Sequence, residues 1–148
     1  MSITASAYIS LFLVSFAAAT LLPAQSELVL AGLLASGRFD DTWLLIVATA
    51  GNTLGSAVNW LLGRFIGTFR ERRWLPVSPT ALVRAEAWYR RWGLWTLLLS
   101  WAPVIGDGLT VVAGVLRVRL LPFLALVLIA KGGRYLVVAY AVQATAGP

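Results

Sequence analysis

The chain has 148 residues; 59% are hydrophobic, only 12% are charged, and the mean hydropathy is +0.82. A soluble domain carries about a quarter charged residues, so half that share excludes a continuous water-facing shell. The formal net charge of +6 does not indicate nucleic acid, because the basic residues gather between and beside apolar segments and no nucleic-acid module is present. Without Cys or His, disulfides, thiol chemistry, Cys/His metal sites and His-based catalysis are excluded.

The N-terminal apolar stretch Tyr8–Leu22 has no Lys or Arg before it, so the positive region of a signal peptide is missing and the segment reads as mature protein. It and Ala24–Ser36 are each too short to cross a bilayer and meet at Pro23, with Glu27 just beyond. After the connector Gly37-Arg38-Phe39-Asp40-Asp41, the segment Thr42–Ile66 exceeds the about 20 apolar residues that a span requires. Gly51, Gly55, Asn59, Gly63 and Gly67 recur every fourth residue along it. Small residues at that spacing let a second segment approach closely, and in lipid the amides of Asn52 and Asn59 require partners, for which the hairpins are candidates.

Segment 67–93 is rich in Arg, and Ser78-Pro79 pairs an N-cap residue with Pro at the first helical position. Ala81, Ala85, Trp88 and Trp92 follow at helical spacing, which predicts an amphipathic helix in the headgroup region. The apolar stretch Leu94–Leu116 is interrupted at Pro103, Gly106 and Gly108, with Asp107 between the glycines. The last segment, Phe123–Ala146, is again long enough to span. Lys131 lies roughly 13.5 Å along it, near mid-membrane, with Arg134 one turn further on the same face.

The two Pro-centred regions read as re-entrant hairpins. If Leu94–Leu116 returns to its own side, then Arg117 and Arg119 join Arg64, Arg70, Arg72, Arg73, Arg84, Arg90 and Arg91 on one face, while Arg38 opposite is offset by Asp40 and Asp41. The positive-inside rule then makes the basic 67–93 loop cytoplasmic and puts both termini outside. A shift of 80 residues places Pro23 on Pro103, Glu27 on Asp107 and Gly51-Asn52 on Lys131-Gly132. The expected architecture is an all-α integral membrane domain over 1–148: a first half 1–66, the linker 67–93 and a second half 94–148. Two transmembrane helices and two opposed re-entrant helical hairpins form an inverted repeat, a plan shared with many transporters.

Glu27, Asp107, Lys131 and Arg134 are charges at depths where a charge costs about 2.5–3.5 kcal/mol on insertion scales, and such residues are usually paired or functional. Together they form a candidate site for a charged headgroup, with an acid able to carry a proton, and Glu27 with Lys131 is the pair to test for direct contact. The bland alternative is an ion-pair cluster that only fixes hairpins to helices. No Walker loop, nucleophile elbow or metal-ligand cluster is present, so neither cofactor nor metal is expected.

The stretches Leu21-Leu22-Pro23-Ala24-Gln25-Ser26-Glu27, Gly51-Asn52-Thr53-Leu54-Gly55 through Gly63-Arg64, Ser100-Trp101-Ala102-Pro103-Val104-Ile105-Gly106-Asp107 and Lys131-Gly132-Gly133-Arg134-Tyr135 together resemble the DedA, or SNARE-associated (VTT), family, in its short YqaA-like branch. The resemblance covers roughly residues 10–140. It implies two opposed re-entrant hairpins and a role in lipid movement, such as flipping polyprenyl phosphate or scrambling phospholipid, with the acid matching Glu27 involved in proton coupling. The two arginines that flank the family's second-hairpin proline are absent: Ser100 and Gly106-Asp107 stand there, and Lys131 and Arg134 are candidates to supply the positive charge. The combined expectation is a multi-pass flippase or scramblase for an anionic lipid in the plasma (inner) membrane of a prokaryote. Membrane lipids and protons are its partners, and a homo-oligomer encloses the path. The alternative is a non-transporting membrane scaffold or assembly factor, with a membrane enzyme using Glu27 and Asp107 a third reading.

Overall fold

The structure, a computed structural model, describes residues 2–20, 25–68, 78–103 and 105–147. The described residues form helices α1 (Ile3–Ala18), α2 (Gln25–Ala35), α3 (Asp41–Thr68), α4 (Pro79–Trp92), a 3-10 segment (Gly93–Trp101), α5 (Ile105–Val115) and α6 (Leu120–Ala146). Only α3, over Asp41–Phe65, and α6 are long and apolar enough to cross a membrane among the described residues. Pro23 and the arginines Arg70, Arg72 and Arg73 lie outside the described residues.

The chain divides into two compact units, Met1–Gly55 with Lys131–Pro148, and Ser56–Ala130, so both long helices contribute to each. In the first unit, Leu11 of α1, Leu30 and Leu34 of α2, Leu44 and Ala48 of α3, and Tyr135 and Ala139 of α6 build one apolar core. Local chemistry sets the helix starts. The Ser2 hydroxyl accepts from the Ala5 amide, and Asp40 Oδ1 accepts from the Trp43 amide at 3.1 Å, each satisfying a donor that the first turn leaves open. α1 approaches α3 at glycines. A Cβ at Gly51 would sit 2.6 Å from the Phe12 carbonyl oxygen, and one at Gly55 would sit 2.5 Å from that of Phe16 and 2.7 Å from the Ala19 methyl.

The second unit has its own core of Trp60, Ala85, Tyr89, Leu97, Leu109, Val112, Ala113, Phe123 and Val127. Gly63 of α3 lies against the Val111 backbone of α5, and Gly114 of α5 against the Trp60 backbone of α3, so each glycine admits the other helix. The Trp60 indole donates to the Val118 carbonyl at 2.9 Å. Arg117 ends α5 at φ 55, its amide donating to Gly114 and the next amide, of Val118, to Ala113, a Schellman closure without glycine. α2 ends on Gly37 at φ 61.

Two elements depart from the sequence reading. The inward face of α4 is Ala85 and Tyr89, with Trp88 packed against the same core, whereas Ala81 and Trp92 are exposed. The Tyr89 hydroxyl turns the helix inward by donating to the Leu109 carbonyl at 3.1 Å, and burial pushes its pKa well above the ordinary phenol value. The Gly93–Trp101 arm is a 3-10 segment that begins at Gly93, at φ 61, and it rises roughly 2 Å per residue against 1.5 Å in an α-helix. The same apolar letters therefore reach further before the break at Pro103.

Gly55→Leu should abolish recovery of monodisperse protein in detergent, because the displaced atoms are α1 backbone. Gly32, where a Cβ would meet nothing within 4 Å, provides the contrast: Gly32→Ala should raise stability by about 0.5–1 kcal/mol in thermal unfolding. Equal yields of Gly55→Leu and the parent protein would contradict the close approach.

Candidate functional site

The first unit assembles a polar set around the start of α2. Arg134 Nε of α6 donates to Glu27 Oε1, forming an ion pair with side-chain exposures of 12% and 26%. Beside it, Asn52 Nδ2 of α3 donates to the Tyr135 hydroxyl at 2.7 Å, which donates to Ser26 Oγ of α2 at 2.9 Å. Ser26, Asn52 and Tyr135 are all buried. Three helices thus meet through one neutral chain and one ionic contact at adjacent positions, 26–27 on α2 and 134–135 on α6. A carboxylate near the start of α2 is also favoured by the positive end of the helix dipole.

Lys131, one turn before Arg134 and Tyr135, is 1% exposed and holds a polar or electrostatic partner. It shares its buried face with Tyr135 and Ala139. Gly132 lies against Thr49, where a Cβ would sit 3.5 Å from the Thr49 methyl, while Gly133 faces open space. Direct contact to Glu27 therefore comes from Arg134 rather than from Lys131, the partner that the sequence put forward.

The remaining sequence candidates fall in the second unit. Asp107 lies half-buried in the first turn of α5 and is likewise engaged. The Thr110 hydroxyl donates to the Asp107 carbonyl at 2.6 Å and accepts from Asn59 Nδ2 at 3.2 Å, which ties α5 to α3. The Pro103 carbonyl accepts from the Ile105 amide at 2.8 Å across the break, and Gly106 lies against the Ser100 backbone. Gly108 is half-buried.

Sequence reasoning passed over Ser26, Tyr135 and Thr110 as polar partners. Tyr135 carried a usable signal: a phenol inside an apolar helix next to a buried charge must find a partner for its hydroxyl.

A chain of this kind, two long apolar helices with short broken helices bearing a paired acid, is a helical membrane protein. The VTT domain sequence profile matches residues 22–144. The chain is 42% identical over 132 residues to the inner membrane protein YqaA of Escherichia coli K12, covering 89% of this chain and 88% of that one. It is 33% identical over 132 residues to an uncharacterised protein of Haemophilus influenzae, covering 84% and 80%. It is 26% identical over 118 residues to undecaprenyl phosphate transporter A of Staphylococcus aureus, covering 74% of this chain and 58% of that protein. No solved structure matches the chain. It belongs to the VTT-domain (DedA) family.

Tyr135→Phe should cost about 1–3 kcal/mol, because the buried Asn52 amide and Ser26 hydroxyl lose their shared partner. Arg134→Met should cost about 3–5 kcal/mol if Glu27 stays charged, and Glu27→Gln in the same chain should recover much of it. Thermal unfolding of both singles and the double measures this; strictly additive losses would show that the two side chains do not interact.

Proposed function

We propose that this chain moves an anionic, phosphate-bearing lipid, a polyprenyl phosphate or a phospholipid, across the inner membrane of a prokaryote. The observation that carries the reading is the Glu27–Arg134 pair with buried Lys131 one turn away, set within a helix whose exposed neighbours Leu136 and Val137 are apolar. Charges in such a helix are costly and mark pathways more often than they serve packing. Arg134 and Lys131 supply positive charge for a phosphate. Glu27 competes with that phosphate for Arg134, and taking up a proton frees the guanidinium, which couples lipid movement to protons. The relative named undecaprenyl phosphate transporter A supports the substrate class.

The proposed frame is an inverted repeat of two re-entrant hairpins, α1–α2 and the 3-10 segment with α5, within a homo-oligomer that encloses the path. Its support is the 80-residue offset: α2 spans Gln25–Ala35 and α5 Ile105–Val115, and the left-handed caps are Gly37 and Arg117. The 67–93 linker is placed in the cytoplasm and the termini outside, on the arginine count. Labels at Arg73 and Arg119 should report one face and a label at Arg38 the other; Arg73 and Arg119 on opposite faces would sink the repeat.

A scaffold role is the second reading, favoured by the hydrogen-bonded chain through Tyr135, which fixes helices without needing a substrate. Flux of fluorescent or phosphorylated lipids in reconstituted vesicles separates the two. Glu27→Gln retains shape and hydrogen bonding, so transport predicts a sharp fall in flux with modest loss of stability. Wild-type flux in a stable Glu27→Gln protein, or no flux in the parent, would overturn the transport reading.

A further inference from the structure

α4 carries a surface that the charged set on α2 and α6 does not use. Its rotation is fixed by the buried Ala85 and Tyr89, the latter bonded to the Leu109 carbonyl. At about 100° per residue, Thr80, Arg84, Ala87 and Arg91 fall on the opposite side of the helix, and all four are exposed. Pro79, Thr80, Val83, Arg84 and Ala87 line an open groove along this side. The Arg91 guanidinium lies over the Trp92 ring, 5.4 Å from its centroid, and Trp92 and Trp95 are 60% and 70% exposed. Glu86 points elsewhere, toward Arg90 at 3.9 Å, and leaves the stripe positive.

The exposed face of α6 in the same unit is different: Leu121, Leu128 and Ile129. That composition suits acyl chains. Arginines alternating with Ala and Thr beside exposed Trp suit neither acyl chains nor bulk water; they match the headgroup layer, where indoles and cationic side chains both find partners. We propose that the Thr80–Arg84–Ala87–Arg91 stripe is a docking surface for anionic phospholipid headgroups. Each guanidinium can hold a phosphate by two parallel hydrogen bonds. The two arginines stand two turns apart, roughly 10.5 Å along the axis, so they engage neighbouring lipids rather than one phosphate. Ala87 between them keeps the groove open. This surface does not depend on transport through the α2–α6 set.

The chain has no Cys, so Ala81→Cys, exposed on α4 and outside the groove lining, provides a unique attachment point for a fluorophore. The full-length labelled protein is placed in phosphatidylcholine vesicles containing a small fraction of either phosphatidylglycerol or phosphatidylcholine, spin-labelled at the top of the acyl chain. Near a membrane surface each arginine favours an anionic lipid roughly fivefold. Quenching by labelled phosphatidylglycerol should therefore exceed that by labelled phosphatidylcholine several-fold. High salt, or Arg84→Gln with Arg91→Gln, should reduce it to the phosphatidylcholine level. Equal quenching by the two lipids overturns the proposal, because the helix then has no preference for anionic lipid. Absence of quenching by either also overturns it, because the face then meets water or a second copy of the chain.

Discussion

A buried polar group in lipid has no water to turn to, so every partner must come from the protein itself. The first compact unit is organised by that requirement. Ser26 and Glu27 open α2, and both are answered by adjacent residues of α6, Tyr135 and Arg134, while Asn52 of α3 completes the neutral branch. Moving any of the three helices by a turn would leave a hydroxyl, an amide or a charge without its partner, a loss of about 1–3 kcal/mol for a neutral group and more for an ion. The polar contacts thus fix register where apolar side chains alone would tolerate sliding.

Close approach is the complementary constraint. A hydrogen bond between side chains as short as Asn59 and Thr110 needs neighbouring backbones to come near, and glycines permit it between α3 and α5. Gly51 and Gly55 admit α1, and Gly63 and Gly114 admit α3 and α5 to one another. Packing of this kind replaces the hydrophobic drive that helices lack in a lipid environment. The same economy is visible at the breaks, where Gly106 lies on the Ser100 backbone and Asn59 reaches Thr110.

Much of this was legible in the letters. Two apolar runs beyond the length of a span, and apolar runs interrupted at Pro103, define a helical membrane protein, because length and hydropathy act through solvent and need no knowledge of contacts. The N-cap at Ser78 was equally readable, since capping is local. Partner choice was not. Lys131 and Arg134 lie on one face, and spacing cannot tell which guanidinium or ammonium meets Glu27 from more than a hundred positions away; only the rotation of α2 against α6 decides. The orientation of α4 was hidden for a related reason. Ala81, Ala85, Trp88 and Trp92 make a plausible apolar stripe, but one buried phenol hydrogen bond at Tyr89 outweighs the partial exposure of a Trp that is comfortable at an interface. The helical type of Gly93–Trp101 also escaped, because 3-10 and α segments share the same apolar letters and differ in rise.

The proposed transport reading rests on competition between a lipid phosphate and Glu27 for Arg134, whose contact with Glu27 is the one ion pair described between α2 and α6. If that competition operates, lipid movement must respond to a proton gradient through Glu27 and no other group need titrate. The most direct measurement is the initial rate of polyprenyl phosphate movement in vesicles with and without an imposed pH difference, for the parent chain and for Glu27→Gln. The account predicts acceleration by the gradient in the parent and a slow, gradient-independent rate in the variant. A parent rate unchanged by the gradient, or an equal response in Glu27→Gln, would contradict it.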